Sequence, residues 1–224
     1  MRVARYCLTV VTAAVLASPL HAQSEMPGMG MSGGWRMVPM DPNMIMLPGL
    51  TGVVPVVGAF LPAAGINPAS FPEAEPSQVV EMIDGDTLDI EVSIVRRILN
   101  GHEMVMFGYN RQYPGPLIRA PKDATLVVRV RNEIELPTTI HWHGVRLDNE
   151  FDGVPGVTQE AIQRGESFVY EVHVPDAGMF WYHPHAREDV QQDLGLFGNL
   201  LVTSPNPSYY GPAHREEMLV LDDI

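Results

Sequence analysis

From Val79 onward the chain is built of short runs of strand-favouring residues separated by turn residues, and no long amphipathic helix competes with them. The runs are Val79 to Ile83, Leu88 to Leu99, Met104 to Tyr109, Thr125 to Val130, Thr138 to His143, Ser167 to Val174, Met179 to His185 and Gly198 to Thr203. Such a succession specifies an all-β fold. Between the second and third runs, Asn100-Gly101 predicts a two-residue hairpin, because the primed turn needs positive φ that these two residues tolerate. Strand periodicity also assigns faces: Phe168, Tyr170, Val172 and Val174 share the core side, while Val169, Glu171 and His173 point outward. His102 and His214 are expected in solvent with His173.

The amino-terminal third reads differently. Residues 1–22 combine a basic start (Arg2, Arg5), an apolar run from Leu8 to Ala17 and a small residue at the end, which is the pattern of a secretory signal peptide. The run is too short to span a bilayer, and the arginines are not adjacent, so general export is expected over a twin-arginine route. Cys7, the single cysteine, falls in this leader, so the exported chain has no disulfide and no thiolate ligand. Loss of Arg2 and Arg5 leaves 12 basic against 27 acidic residues, a formal charge of −15 that argues against a nucleic-acid partner.

Residues 23–75 form a Met/Pro/Gly-rich irregular segment. Seven methionines stand between Met26 and Met46. Thioether sulfur is a soft donor that favours copper(I), and a flexible apolar arm lying on another surface is the alternative reading. Pro55, Pro62 and four glycines argue against a membrane span in the apolar stretch Gly49 to Ile66.

Four of the eight histidines fall into two identical spacings, His141-Trp142-His143 and His183-Pro184-His185. On a strand each pair presents two imidazoles on one face while the middle residue points away or turns the chain. Two such pairs predict a four-imidazole metal cluster, suited to copper, zinc, iron or nickel. Trp142 and Tyr182 are expected to pack and to fix the histidine strands.

Several ordered motifs narrow the choice. They are Tyr109-Asn110-Arg111-Gln112-Tyr113-Pro114-Gly115-Pro116, His141-Trp142-His143-Gly144, Asp152-Gly153-Val154-Pro155-Gly156-Val157-Thr158-Gln159, Trp181-Tyr182-His183-Pro184-His185 and Gly195-Leu196-Phe197-Gly198-Asn199-Leu200-Leu201-Val202. In this order they resemble the first domain of the multicopper oxidases, the laccase-like group that includes exported bacterial copper-tolerance enzymes. The resemblance covers about residues 79–224. It implies a cupredoxin-like Greek-key β-sandwich over residues 76–206, followed at 207–224 by a linker and the first strand, Glu217 to Leu221, of a further domain. It also implies copper as cofactor, with His141 on a type-2 ion and His143, His183 and His185 on a type-3 pair, together half of a trinuclear cluster. Asp152 is implied as a catalytic proton donor beside the cluster, and a turn role is the alternative for this Asp-Gly pair.

The resemblance further implies oxygen and a reducing substrate, phenolic or copper(I), as partners, with a secreted or periplasmic location. The family's remaining cluster ligands, in His-x-x-His-x-His and His-Cys-His patterns, are absent from this sequence. Carboxy-terminal cupredoxin domains, in the same or another chain, are therefore expected to complete the site, and the chain by itself is expected to be inactive as an oxidase. A copper-binding or storage module acting as the short chain is the competing expectation.

Overall fold

The computed structural model describes residues 67–221. The leader and the methionine tract, on which the export and copper(I) expectations fall, lie outside the described residues.

Two sheets make a β-sandwich. One contains β1 (Val79–Glu81), β4 (Leu117–Pro121), β9 (Gly198–Thr203), β8 (Gly178–His183) and β6 (His141–His143), in the spatial order β1-β4-β9-β8-β6. The other contains β2 (Thr87–Leu99), β3 (His102–Tyr109), β5 (Thr125–Asn132) and β7 (Ser167–His173), in the order β3-β2-β5-β7. The all-β expectation is met. Its hairpin is met as well: Leu99 pairs with His102, and Asn100 and Gly101 take φ of 50° and 81°.

The core lies between the sheets because each strand alternates. On β5, Leu126, Val128 and Val130 are fully buried while Arg129 and Arg131 face water. Tyr170 and Val172 of β7 join them, and Ile118, Trp142, Tyr182, Leu200 and Val202 close the core from the other sheet. Burial of each large apolar side chain stabilises the fold by about 1.5–3 kcal/mol.

Four departures from the sequence expectation have physical causes. Strand β4 has no counterpart among the expected runs, since prolines at 114, 116 and 121 bound it; its pairing with β1 and β9 is what makes it a strand. The expected Thr138–His143 strand shrinks to β6, because Thr138 pairs instead with Ile162 and the Ile140 N–H donates to the Tyr170 hydroxyl at 2.9 Å. The expected Met179–His185 strand stops at His183, where Pro184 removes a backbone donor. The expected strand at Glu217 to Leu221 is irregular, with Leu219 and Leu221 80% and 97% exposed. Strand conformation without a neighbouring ladder leaves backbone groups to water, and propensity cannot hold it.

Among the described residues, α1 (Glu188–Gln191) is the α-helix, beside two short 3-10 turns at 68–70 and 149–151. No helix among them is long and apolar enough to cross a membrane.

Candidate metal centre

The edge strand β6 pairs antiparallel with the end of β8, with His141 opposite His183 and His143 opposite Trp181. Residues directly opposite point to the same face, so this register alone brings imidazoles from both motifs together. Trp142 and Tyr182, the alternate residues, turn inward; both are fully buried, with ring centroids 5.5 Å apart. The phenol of Tyr182 donates to the Pro116 carbonyl at 2.7 Å, which ties β8 to the loop before β4. Gly198 makes room for it, since a Cβ there would lie 2.2 Å from the Tyr182 hydroxyl.

All four histidines converge. The His141 ring centroid lies 5.5 Å from those of His143 and His183 and 4.5 Å from that of His185, and His183 lies 5.4 Å from both His143 and His185. Nitrogens of His141, His183 and His185 fall within 4.8 Å of one another, close enough to hold a metal ion. The Nδ1 of His143 lies 3.2 Å from the Nε2 of His183. Two imidazoles on one ion, each with a bond of about 2.0–2.1 Å, hold their donor atoms about 2.9–3.4 Å apart. The spacing therefore fits a shared ion, and without an ion it also permits a hydrogen bond.

Hydrogen bonds fix which nitrogen each ring presents. His141 Nδ1 lies 2.7 Å from the Asp152 carbonyl oxygen, and His183 Nδ1 lies 3.0 Å from the Pro184 carbonyl oxygen. A carbonyl only accepts, so each Nδ1 carries its proton and each Nε2 offers a lone pair. His185 Nδ1 faces the Glu188 carboxylate at 2.5 Å, and its backbone N–H donates to Thr139 Oγ1 at 3.2 Å.

Electrostatics favour the neutral ring at His183 and His185. Burial lowers the His183 pKa from its ordinary value to about 4, helped by the three neighbouring histidines and opposed by the Pro184 carbonyl. Burial also lowers that of His185, against the pull of Glu188. A neutral imidazole is the form that binds metal, so no proton has to be displaced from His183 near neutral pH. Trp181 stacks on His183 with centroids 4.0 Å apart and planes 19° apart, covering one side of the ring.

Asp152 sits at the end of the 3-10 turn Asn149–Phe151. Its Oδ1 is 3.4 Å from His141 Nδ1, and its side chain remains 35% exposed. The next residue makes this approach possible: Gly153 has φ of 76°, and a Cβ on it would lie 1.9 Å from the Ile140 carbonyl oxygen.

The remaining sequence-named histidines do not join the cluster. His102, His173 and His214 are exposed, and His173 Nδ1 lies 3.3 Å from Thr125 Oγ1. Conversely, Glu188, Thr139 and Trp181 contact the cluster without having been singled out. Two of them leave a signal in the spacing: Glu188 stands three residues after His185, and Trp181 stands two before His183, on the same strand face.

The fold and the cluster together define a β-sandwich protein with an all-imidazole candidate metal site at a sheet edge. The family model described as multicopper oxidase matches residues 82–207, more than half of the chain, and the chain belongs to that family. Copper is the family's cofactor, and the donor set agrees with it. The chain is 32% identical over 143 residues to copper resistance protein A of Pseudomonas syringae pv. tomato, covering 63% of this chain and 23% of that protein. It is 41% identical over 139 residues to dihydrogeodin oxidase of Aspergillus terreus, covering 60% of this chain and 22% of that protein. Among solved structures, a multicopper oxidase from Pseudomonas thermotolerans matches with a TM-score of 0.54 and 40% identity, over 59% of this chain and 32% of that one. The chain thus spans about a quarter of the length of the curated relatives it matches.

Proposed function

We propose that residues 76–206 are the amino-terminal cupredoxin domain of an exported multicopper oxidase and supply half the ligands of a trinuclear copper cluster. His141 serves a type-2 ion, and His143, His183 and His185 serve a type-3 pair. The observation that carries this reading is the convergence of four imidazoles from two strands paired His141 to His183, with His143 Nδ1 and His183 Nε2 3.2 Å apart. Further cupredoxin domains supply the remaining ligands and the site where electrons enter. The assembled protein oxidises phenolic compounds or copper(I), reduces oxygen to water, and works in the periplasm or outside the cell.

Bound copper supplies the one-electron redox chemistry. The protein's own residues supply the rest. Backbone carbonyls of Asp152 and Pro184 hold the Nδ1 protons of His141 and His183, so the Nε2 atoms point inward in a fixed tautomer. Trp181 shields His183 from water on one side. The Asp152 carboxylate, beside His141 and partly open to solvent, is placed to take a proton from water and pass it inward, as a four-proton reduction requires. Its backbone carbonyl holds His141 at the same time, so the turn role and the proton role coexist in one residue.

The test is copper binding and oxygen uptake together. His141→Ala and His183→Ala should lower the copper content of the chain and abolish uptake with a phenolic or copper(I) donor in the assembled oxidase. Asp152→Asn, which keeps the backbone carbonyl, should retain copper while slowing oxygen reduction. Unchanged copper and uptake in both histidine variants would sink the assignment.

A further inference from the structure

We propose that Glu188 is a positioning residue for the metal centre, holding His185 in the tautomer and orientation that present its Nε2 to the ion; this rests on the reading of His185 as a ligand. The three histidines whose nitrogens lie within 4.8 Å of one another do not have equivalent supports. His141 and His183 each hand an Nδ1 proton to a neutral backbone carbonyl, at 2.7 and 3.0 Å. His185 Nδ1 instead lies 2.5 Å from a Glu188 carboxylate oxygen, a charged neighbour rather than a neutral carbonyl. Hydrogen bonds to a charged acceptor are shorter and about twice as strong as neutral ones, and a carboxylate behind an imidazole makes the opposite nitrogen a better donor to metal.

The need for such a support follows from the chain path. His141 and His143 lie on β6, and His183 ends β8, so their backbones are fixed by the ladder. His185 lies beyond β8, past Pro184, where no ladder fixes it. Its surroundings are arranged to replace one. Arg187 takes the left-handed conformation (φ 46°, ψ 58°), turning the chain back so that Glu188 opens α1 directly over His185. The Arg187 guanidinium binds both oxygens of Asp189 at 2.8 Å, and its carbonyl accepts from the N–H groups of Val190 and Gln191. Gln191, fully buried, donates through Nε2 to the Pro137 carbonyl at 2.9 Å, while the His185 N–H donates to Thr139 Oγ1. Both ends of the His185 to Glu188 link are therefore anchored to the same segment, 137–139, that leads into β6.

An exposed ion pair adds little to stability, and Glu188 is about half exposed. Its contribution is orientation. The experiment compares the whole 224-residue chain with Glu188→Ala, Glu188→Gln and His185→Ala. In each, copper(II) affinity is measured by competition with a chelator, and the ring nitrogens of the metal-free, 15N-labelled protein are read by NMR. Glu188→Ala should weaken copper about 10–100-fold. It should also move the His185 ring signals away from the Nδ1–H form while leaving those of His141 and His183 in place. Glu188→Gln, whose amide oxygen still accepts, should restore the His185 tautomer and most of the affinity. A general folding defect would instead disturb all the rings alike and overturn the assignment. So would a Glu188→Ala chain with wild-type affinity and unchanged His185 signals. Wild-type affinity in His185→Ala would fail the ligand reading itself, a result separate from the other two.

Discussion

The two histidine pairs share one spacing and meet opposite fates in the fold. His141 and His143 both stay on β6, a three-residue edge strand, and Trp142 between them is fully buried. In the second pair, His183 closes β8 and is 3% exposed, whereas His185 lies past Pro184 in an irregular segment. The first pair is organised by a ladder and by a loop carbonyl from Asp152; in the second, His183 is held by the same ladder, the Pro184 carbonyl and a stacked tryptophan, while His185 lies off the ladder beside a carboxylate. Equal spacing therefore determines which residues can meet, and the surroundings determine how each is held. A ladder fixes a backbone position, and only an acceptor at Nδ1 fixes a tautomer.

Trp142→Ala should have the largest effect, because it empties the space under the first pair and removes the contact with Tyr182 under the second. A loss of about 3–5 kcal/mol is expected in urea unfolding. If copper affinity survives at the first pair once the chain is refolded, the pairs are more independent than their shared core suggests.

Gly153→Ala should come next, since it attacks the first pair alone. The added Cβ meets the Ile140 carbonyl at 1.9 Å and the backbone sits at φ of 76°, so the loop must withdraw and take the Asp152 carbonyl from His141. A destabilisation of about 1–3 kcal/mol is expected from the strained backbone alone. In an NMR spectrum, the His141 ring signals should shift while those of His185 stay.

Acidification probes the second pair. The folded-state pKa of His183 is about 4, below its ordinary value of 6.5, because burial disfavours the charged ring. Between those values the unfolded chain binds more protons than the folded one, so the metal-free protein should lose stability as pH falls from 6.5 to about 4 and little further from this group below that. Unfolding measured across this range should show the loss, and His183→Ala should flatten it. His173→Ala, on an exposed face of β7, should change stability by no more than about 0.5 kcal/mol and leave copper binding unaltered.

Much of this was legible in the residues. Alternation on β7 assigned its core face, Asn100-Gly101 specified the hairpin, and the two spacings named all four imidazoles. What stayed hidden depended on distant partners. The strand β4 exists because β1 and β9 flank it, and the residues Glu217 to Leu221 stay irregular for want of such flanks. Glu188 carries an i+3 signal that many exposed glutamates share.

The sequence by itself determined the all-β class and the identity of the converging histidines, because periodicity and local spacing are properties of neighbours along the chain; its ordered motifs carried the resemblance to the family. Only the tertiary structure decided the register of His141 against His183, the nitrogen these two rings present and the groups that stand behind His141, His183 and His185. Those depend on strand pairing and loop return, where residues far apart in sequence come within hydrogen-bond distance and the backbone between them sets the angle.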